Sequence, residues 1–162
     1  MSEVQITSVL LDKTSKLYSL IDSTLQRFIK LTGAQRGFLI LVNDKGEFEI
    51  KISRNFDNKD ELLESVNFSK SILNKLVTEK TPILTHNASD DSNIDLSNSI
   101  LSMSLKSIIC VPLIVKDNLI GAIYLENNEI SGQFTNKHLE SLEDFAYRAS
   151  ISIKAKLAAY SC

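Results

Sequence analysis

The chain has 162 residues, 43% of them hydrophobic, with a formal net charge of −2 and no tryptophan. That is enough for one domain with a proper core and short for two. A near-neutral balance with no basic, aromatic-interleaved stretch excludes an electrostatic nucleic-acid surface, and apolar runs such as Phe38 to Val42 fall far short of the roughly 20 residues that span a bilayer. Residues 5–32 read as one long helix, because Ile6, Val9, Leu10, Leu17, Ile21, Leu25 and Phe28 recur at helical spacing and Gly33 stops the run. Phe38 to Val42 reads as a buried strand, and Asn43-Asp44-Lys45-Gly46 as a turn. Phe48, Ile50 and Ile52 alternate with Glu47, Glu49 and Lys51, the pattern of a partner strand with one wet face.

Residues 54–67 are polar and read as irregular chain. Ser69 is the expected cap of a short helix at 70–80 that carries Ile72, Leu73, Leu76 and Val77 on its apolar side. Pro82 opens a short strand, and residues 87–98, rich in Asp, Ser and Asn, read as a loop. In residues 106–128 two apolar runs flank a polar Lys116-Asp117-Asn118 break, as in a hairpin. Ser107, Ile109, Val111 and Leu113 fall on one face of its first strand and Ile108, Cys110, Pro112 and Ile114 on the other. Both faces are apolar, so this strand is expected to be central. A bulge or break is expected near Pro112, and a bulge or close backbone approach at Gly121. A second long helix starts after Thr135, its N-cap, and carries Leu139, Leu142, Phe145, Ala146, Ala149, Ile153, Ala155 and Leu157. Helices before and after hairpin-linked strands predict an α+β domain on an antiparallel sheet of five or six strands.

The block Ser107-Ile108-Ile109-Cys110-Val111-Pro112-Leu113, followed by Ile120-Gly121-Ala122-Ile123-Tyr124-Leu125-Glu126-Asn127, resembles the signature hairpin of the GAF family of small-molecule sensing and dimerisation domains. "TGAQRGFLILVND", "SKSILNKLVTEKTPILTHNASDD" and "GQFTNKHLESLEDFAYRASISIKAKL" resemble its other conserved blocks in the right order. The likeness implies a GAF domain over 14–157, an N-terminal helical extension over 1–13 and a tail over 158–162 leading towards an output domain such as a histidine kinase. It implies the two terminal helices on one face of the sheet, and the short helix with loops over the other, where a ligand pocket would lie. It also implies a parallel homodimer through those helices, here Leu17, Ile21, Leu25 and Phe28 on one and Phe145, Ala149 and Ile153 on the other.

Alternation together with the family geometry assigns Gly37, Leu39, Ser53, Ile72, Leu73, Leu105, Ile109 and Tyr124 to that pocket, with Ser89, Asp90, Asp91 and Asn93 at its rim. The aliphatic members Leu39, Ile72, Leu73, Leu105 and Ile109 fit ordinary core better than a pocket lining, because such side chains are buried by default. The cyclic-nucleotide members of the family pair an Asn-Lys with a Phe and an acid four positions later; here Glu129 follows Asn128, and His138 stands four after Phe134, so that bridge has neither partner. His86 and His138 lack companions at metal-ligand spacing. Residues 70–104 contain no cysteine for bilin attachment. Cys110 has only the remote Cys162 as a partner, which argues against both a structural disulfide and the thiol chemistry of the family's methionine sulfoxide reductases. The expectation is a cytoplasmic, non-catalytic sensory module without cofactor, metal or membrane segment. It would bind an unidentified small molecule, dimerise, or do both. The alternatives are a dimerisation spacer with a collapsed pocket and, more remotely, a methionine sulfoxide reductase-like enzyme.

Overall fold

The computed structural model describes residues 4–6, 16–85, 107–127 and 134–160. They form β1 (Val4–Ile6), α1 (Lys16–Thr32), β2 (Arg36–Val42), β3 (Phe48–Arg54), α2 (Lys59–Glu79), β4 (Ile83–Thr85), β5 (Ser107–Val115), β6 (Asn118–Asn127) and α3 (Asn136–Tyr160). One six-stranded sheet runs β1-β3-β2-β6-β5-β4. Five strands are antiparallel, and the edge strand β1 joins β3 in parallel. The α+β class and the antiparallel platform are as expected.

The helix read over 5–32 is corrected at its start, since Val4–Ile6 is a strand. Val4-Gln5-Ile6 alternates apolar and polar with β-branched ends, a strand signal that the helical spacing downstream obscured. The short helix at 70–80 is corrected as well: α2 begins at Lys59 and runs for 21 residues. Its N-cap is Asn58, whose Oδ1 accepts the Glu61 N–H at 2.8 Å. Ser69 is no cap; it is buried in mid-helix, and its hydroxyl donates to the Val66 carbonyl. At the C-terminal end Lys80 turns left-handed (φ 54°) and its N–H reaches the Leu76 carbonyl.

Turn chemistry sets both hairpins. Asn43 Oδ1 accepts the N–H groups of Lys45 and Glu47, each at 2.9 Å. Lys116 and Asp117 both have positive φ, as the two-residue loop favoured by twisted hairpins requires. Pro112 does not break its strand. It stands opposite Ala122, and the irregularity expected near it lies one step later, where the register shifts between Leu113 and Ile114.

The sheet separates two apolar layers. On one face α1 and α3 bury Leu17, Ile21, Leu25, Phe28, Leu142 and Ile153 against Leu39, Leu41, Ile109, Val111 and Ile123. On the other α2 buries Leu62, Val66, Ile72, Leu73 and Leu76 against Phe38, Ile40, Ile108, Cys110 and Tyr124. The arrangement of terminal helices on one side and the middle helix on the other is as expected. β3 does not keep one apolar face, however. Leu39 pairs with Ile52 and Ile40 with Ile50, leaving Lys51 as an extra residue. Phe48 and Ile50 therefore face α2, and Ile52 faces α1 and α3.

Gly121 marks a close approach of β6 to β2. A Cβ there would lie 2.3 Å from the Ile40 carbonyl oxygen and 2.9 Å from Leu41 Cδ2. Backbone cannot give way as a side chain does, so Gly121→Ala is expected to cost about 1–3 kcal/mol or more, read as a lower urea midpoint at unchanged slope.

Candidate functional site

The α2 face holds a buried polar group of which the sequence reading singled out Tyr124 alone. β2 and β6 bring Arg36 and Glu126 opposite each other. Arg36 Nε donates to Glu126 Oε1, and Nη1 to Glu61 Oε1 at the start of α2. Ser65 Oγ, one turn further along α2, donates to Glu126 Oε1 at 2.9 Å. Tyr124, two residues before Glu126 and hence on the same face, donates its hydroxyl to Oε2 at 2.9 Å. Glu126 is 0% exposed, and all its contacts are to groups that suit a carboxylate.

An aromatic stack closes the group into a ring. Phe38 stands opposite Tyr124 in the ladder, with ring centroids 4.7 Å apart and planes at 18°. Phe56 tilts against Phe38 at 6.4 Å, and the Arg36 guanidinium lies 5.2 Å above Phe56. Burial pulls the Arg36 pKa down, but the charge and hydrogen bond of Glu126, with the charge of Glu61, outweigh it, and the net shift is upward. Burial, then the charge and hydrogen bond of Glu126, hold the Tyr124 phenol well above its ordinary value, so it stays a donor at neutral pH.

Of the expected pocket residues, Ile72, Leu73 and Tyr124 meet in the α2-face core, and Ser53 stands opposite Phe38 on the same side. Leu39 and Ile109 belong to the opposite face, among the side chains under α1 and α3. Gly37 shares their side, since a Cβ there would strike Leu125 Cδ2. Asp91 and Leu105 lie outside the described residues, as do Ser89, Asp90, Asn93 and His86. The residues expected at a dimer contact pack inside the domain itself: Leu17, Ile21, Leu25, Phe28, Ala149 and Ile153 are buried, and Phe145 packs edge-on to Phe28 at 5.0 Å. Among the described residues, the large apolar side chains left exposed on this helix layer are Leu31, Tyr147 and Ile151.

His138 completes the cap of α3. Its N–H donates to Thr135 Oγ1 and its Nδ1 accepts the Thr135 N–H, both at 3.2 Å. Among the described residues no three or more His, Cys, Asp or Glu gather to hold a metal ion, and no helix is long and apolar enough to cross a membrane. Among the described residues, surface hollows beside the helix layer include one of about 900 Å³ beside α1 and the end of β3 and another of about 160 Å³ between β5 and α3.

With this architecture in view, the model of the GAF domain family matches residues 17–153. The chain belongs to the GAF domain family. The hybrid signal transduction histidine kinase G of Dictyostelium discoideum is 33% identical over 86 residues, 53% of this chain and 2% of that protein. The chain therefore spans a very small part of that relative's length. The domain of a putative two-component sensor histidine kinase from Sinorhizobium meliloti superposes with a TM-score of 0.71 at 16% identity, over 91% of this chain and 97% of that one. The type II free methionine-R-sulfoxide reductase of Thermoplasma acidophilum gives 0.66 at 12% identity, over 85% and 92%. At these identities the structural likeness is one of fold.

In this GAF domain Cys110 is a free, buried thiol on the α2 face, and burial pushes its pKa from the ordinary 9.0 up to about 12. The unfolded chain ionises that thiol near pH 9.0 while the folded one keeps it neutral, so the stability it contributes is complete below pH 9.0 and is lost as the pH rises towards about 12. The expected slope is a loss of about 1.4 kcal/mol per pH unit across that window. Tyr124 adds a loss of the same sign above pH 10.0. Urea titrations at stepped pH check this, and Cys110→Ala is expected to flatten the curve between pH 9 and 10.

Proposed function

We propose that this GAF domain is a non-catalytic regulatory module of a multidomain signalling protein, which takes up a small molecule on the α2 face and passes the change to α1 and α3. The observation that carries this reading is the Arg36–Glu126 pair with Ser65 and Tyr124, enclosed between α2 and the sheet. A buried ionic group is a costly way to hold a helix, and apolar side chains of similar volume often do it at least as well. Groups of this kind cluster where a protein binds or switches. Ile72 and Leu73 share the core of that face with Tyr124, and Ser53 stands opposite Phe38 there, so the face offers apolar walls with a hydroxyl handle. The ligand shifts the module only insofar as it binds two placements of α2 with different affinity.

The output is a fused domain such as a histidine kinase, a reading supported by the Dictyostelium relative. A second copy pairs through the outward side of the helix layer, where Tyr147 is 65% and Ile151 48% exposed. Cytoplasmic placement belongs to the same reading. Thermal-shift screening and titration calorimetry against a metabolite panel test it. One compound class is expected to raise the melting temperature by several degrees at saturating concentration, with Tyr124→Phe weakening it. No stabilisation by any compound overturns the sensor reading.

In that event the domain is a dimerisation spacer, which a specific observation favours: Leu62, Val66, Leu73 and Leu76 already fill the space between α2 and the sheet. Sedimentation equilibrium then shows a dimer that Tyr147→Glu disperses. The reductase reading needs an accessible thiolate, and the Cys110 thiol is both enclosed and raised to about 12. Methionine sulfoxide turnover that disappears in Cys110→Ser would restore it.

A further inference from the structure

The larger hollow lies on the opposite side of the sheet from α2 and collects charge against the balance of the whole chain. Arg27 and Lys30 from α1 and Arg54 from the end of β3 line it, while the chain as a whole carries a net −2. The carboxylate beside them, Asp22, is fully occupied. Its Oδ1 accepts Arg54 Nε at 2.9 Å and also Nη2, and its Oδ2 accepts Gln26 Nε2 at 3.0 Å. Asp22 therefore acts as a strut that orients Arg54 and Gln26, and it cancels only one of three positive charges.

Arg27 is fixed as well. Its guanidinium lies 5.2 Å above the Phe145 ring, and Phe145 is wedged edge-on against Phe28. Lys30 follows one turn later on the same helix face. It is exposed and, among the described residues, carries no ion pair or side-chain hydrogen bond. Two held cations and one free one, drawn from two elements, form a prearranged cradle for negative charge, and prearrangement lowers the cost of binding. Ile29 and the half-exposed Leu31 supply an apolar floor beside it. The volume, about 900 Å³, falls in the range of roughly 300–1,000 Å³ that suits a single small molecule.

We propose that this hollow is a second ligand site, for a small molecule with a dianionic head, a phosphoryl group or paired carboxylates, on an apolar or ring-shaped body. Arg54, Lys30 and Arg27 hold the head, and Ile29 and Leu31 meet the body. The site is independent of the α2 face. Because it joins α1 to β3, its occupant stiffens the helix layer directly, with no movement of α2.

Titration calorimetry on the full chain with pyrophosphate, adenosine monophosphate and citrate, at matched ionic strength, tests the proposal. Saturable binding of at least one is expected, weaker at higher salt because the hollow is open to solvent. Lys30→Ala, an exposed truncation that leaves the core untouched, is expected to weaken it about tenfold, and Arg54→Gln at least as much. Arg148→Gln on α3 and Tyr124→Phe on the α2 face are expected to leave it unchanged, which separates this site from the one proposed above. Preference for pyrophosphate or the nucleotide assigns a phosphoryl head; preference for citrate assigns paired carboxylates. No saturable binding by any of the three at low millimolar concentration, or binding undiminished in Lys30→Ala with Arg54→Gln, overturns it.

Discussion

Glu126→Ala is expected to cost about 3–5 kcal/mol of folding stability, the range for breaking one side of a buried ion pair. The carboxylate is 0% exposed and its main partner, the Arg36 side chain, 11%, so solvent screens little of the loss. Removing the carboxylate strands a guanidinium whose other ion-pair partner, Glu61, sits in a wetter position at 24%. It also leaves the Tyr124 and Ser65 hydroxyls without the acceptor they share, each a further buried donor to satisfy. A domain with a typical stability of about 5–15 kcal/mol would be close to unfolding. Glu126→Gln keeps the shape and one acceptor, so it is expected to cost less than Ala and to retain a cooperative transition. Urea unfolding followed by circular dichroism measures both.

A fourfold replacement, Arg36→Met with Glu126→Leu, Tyr124→Phe and Ser65→Ala, separates the two readings of the domain. Apolar packing of equal volume can recover the stability that a half-broken network loses. Recovered stability with lost ligand response would mean that the charges serve binding. Recovered stability with an unchanged response, or with none to lose, would leave the network a device for seating α2 and favour the spacer.

The four long strands were legible because their cues are local: apolar runs bounded by Asn43 to Gly46 in one hairpin and Lys116-Asp117 in the other. The pocket face was not. Choosing Leu39 and Ile109 together with Tyr124 mixes the two sides of the sheet, since strand alternation gives parity within a strand but not between strands. The pairing of Tyr124 with Phe38 and with Cys110 sets the common face, and that is information about register. The extra residue Lys51 in β3 inverts parity midway and leaves no compositional trace. The N-terminal half of α2 had a readable signal in Asn58 followed three residues later by Glu61, outweighed by the polar look of the segment. Arg36 and Glu126 stand 90 residues apart; the available clue was an acid two places after Tyr124 on an otherwise apolar strand face.

Phe28→Ala is expected to cost about 3–5 kcal/mol, the usual range for emptying an aromatic site in a core that relaxes only partly. Phe28 is 0% exposed in the layer between α1, α3 and the sheet. Its edge-on contact with Phe145, at 5.0 Å and 73°, accounts for about 0.5–1.5 kcal/mol of that. Phe145→Ala is expected to cost less, because Phe145 is only half-buried and water can reach part of the space it leaves. The double variant separates burial from coupling: a shortfall of about 0.5–1.5 kcal/mol from the sum of the single losses is the energy that ties α1 to α3. This tie would let either proposed ligand act on both terminal helices. A molecule on the α2 face reaches them through the sheet, and one in the basic hollow reaches α1 first and α3 through Phe28, Phe145 and the guanidinium of Arg27 above that ring. Strict additivity would show α1 and α3 to be two independent passengers on the sheet, and a signal entering at α1 would then have no packed route to α3.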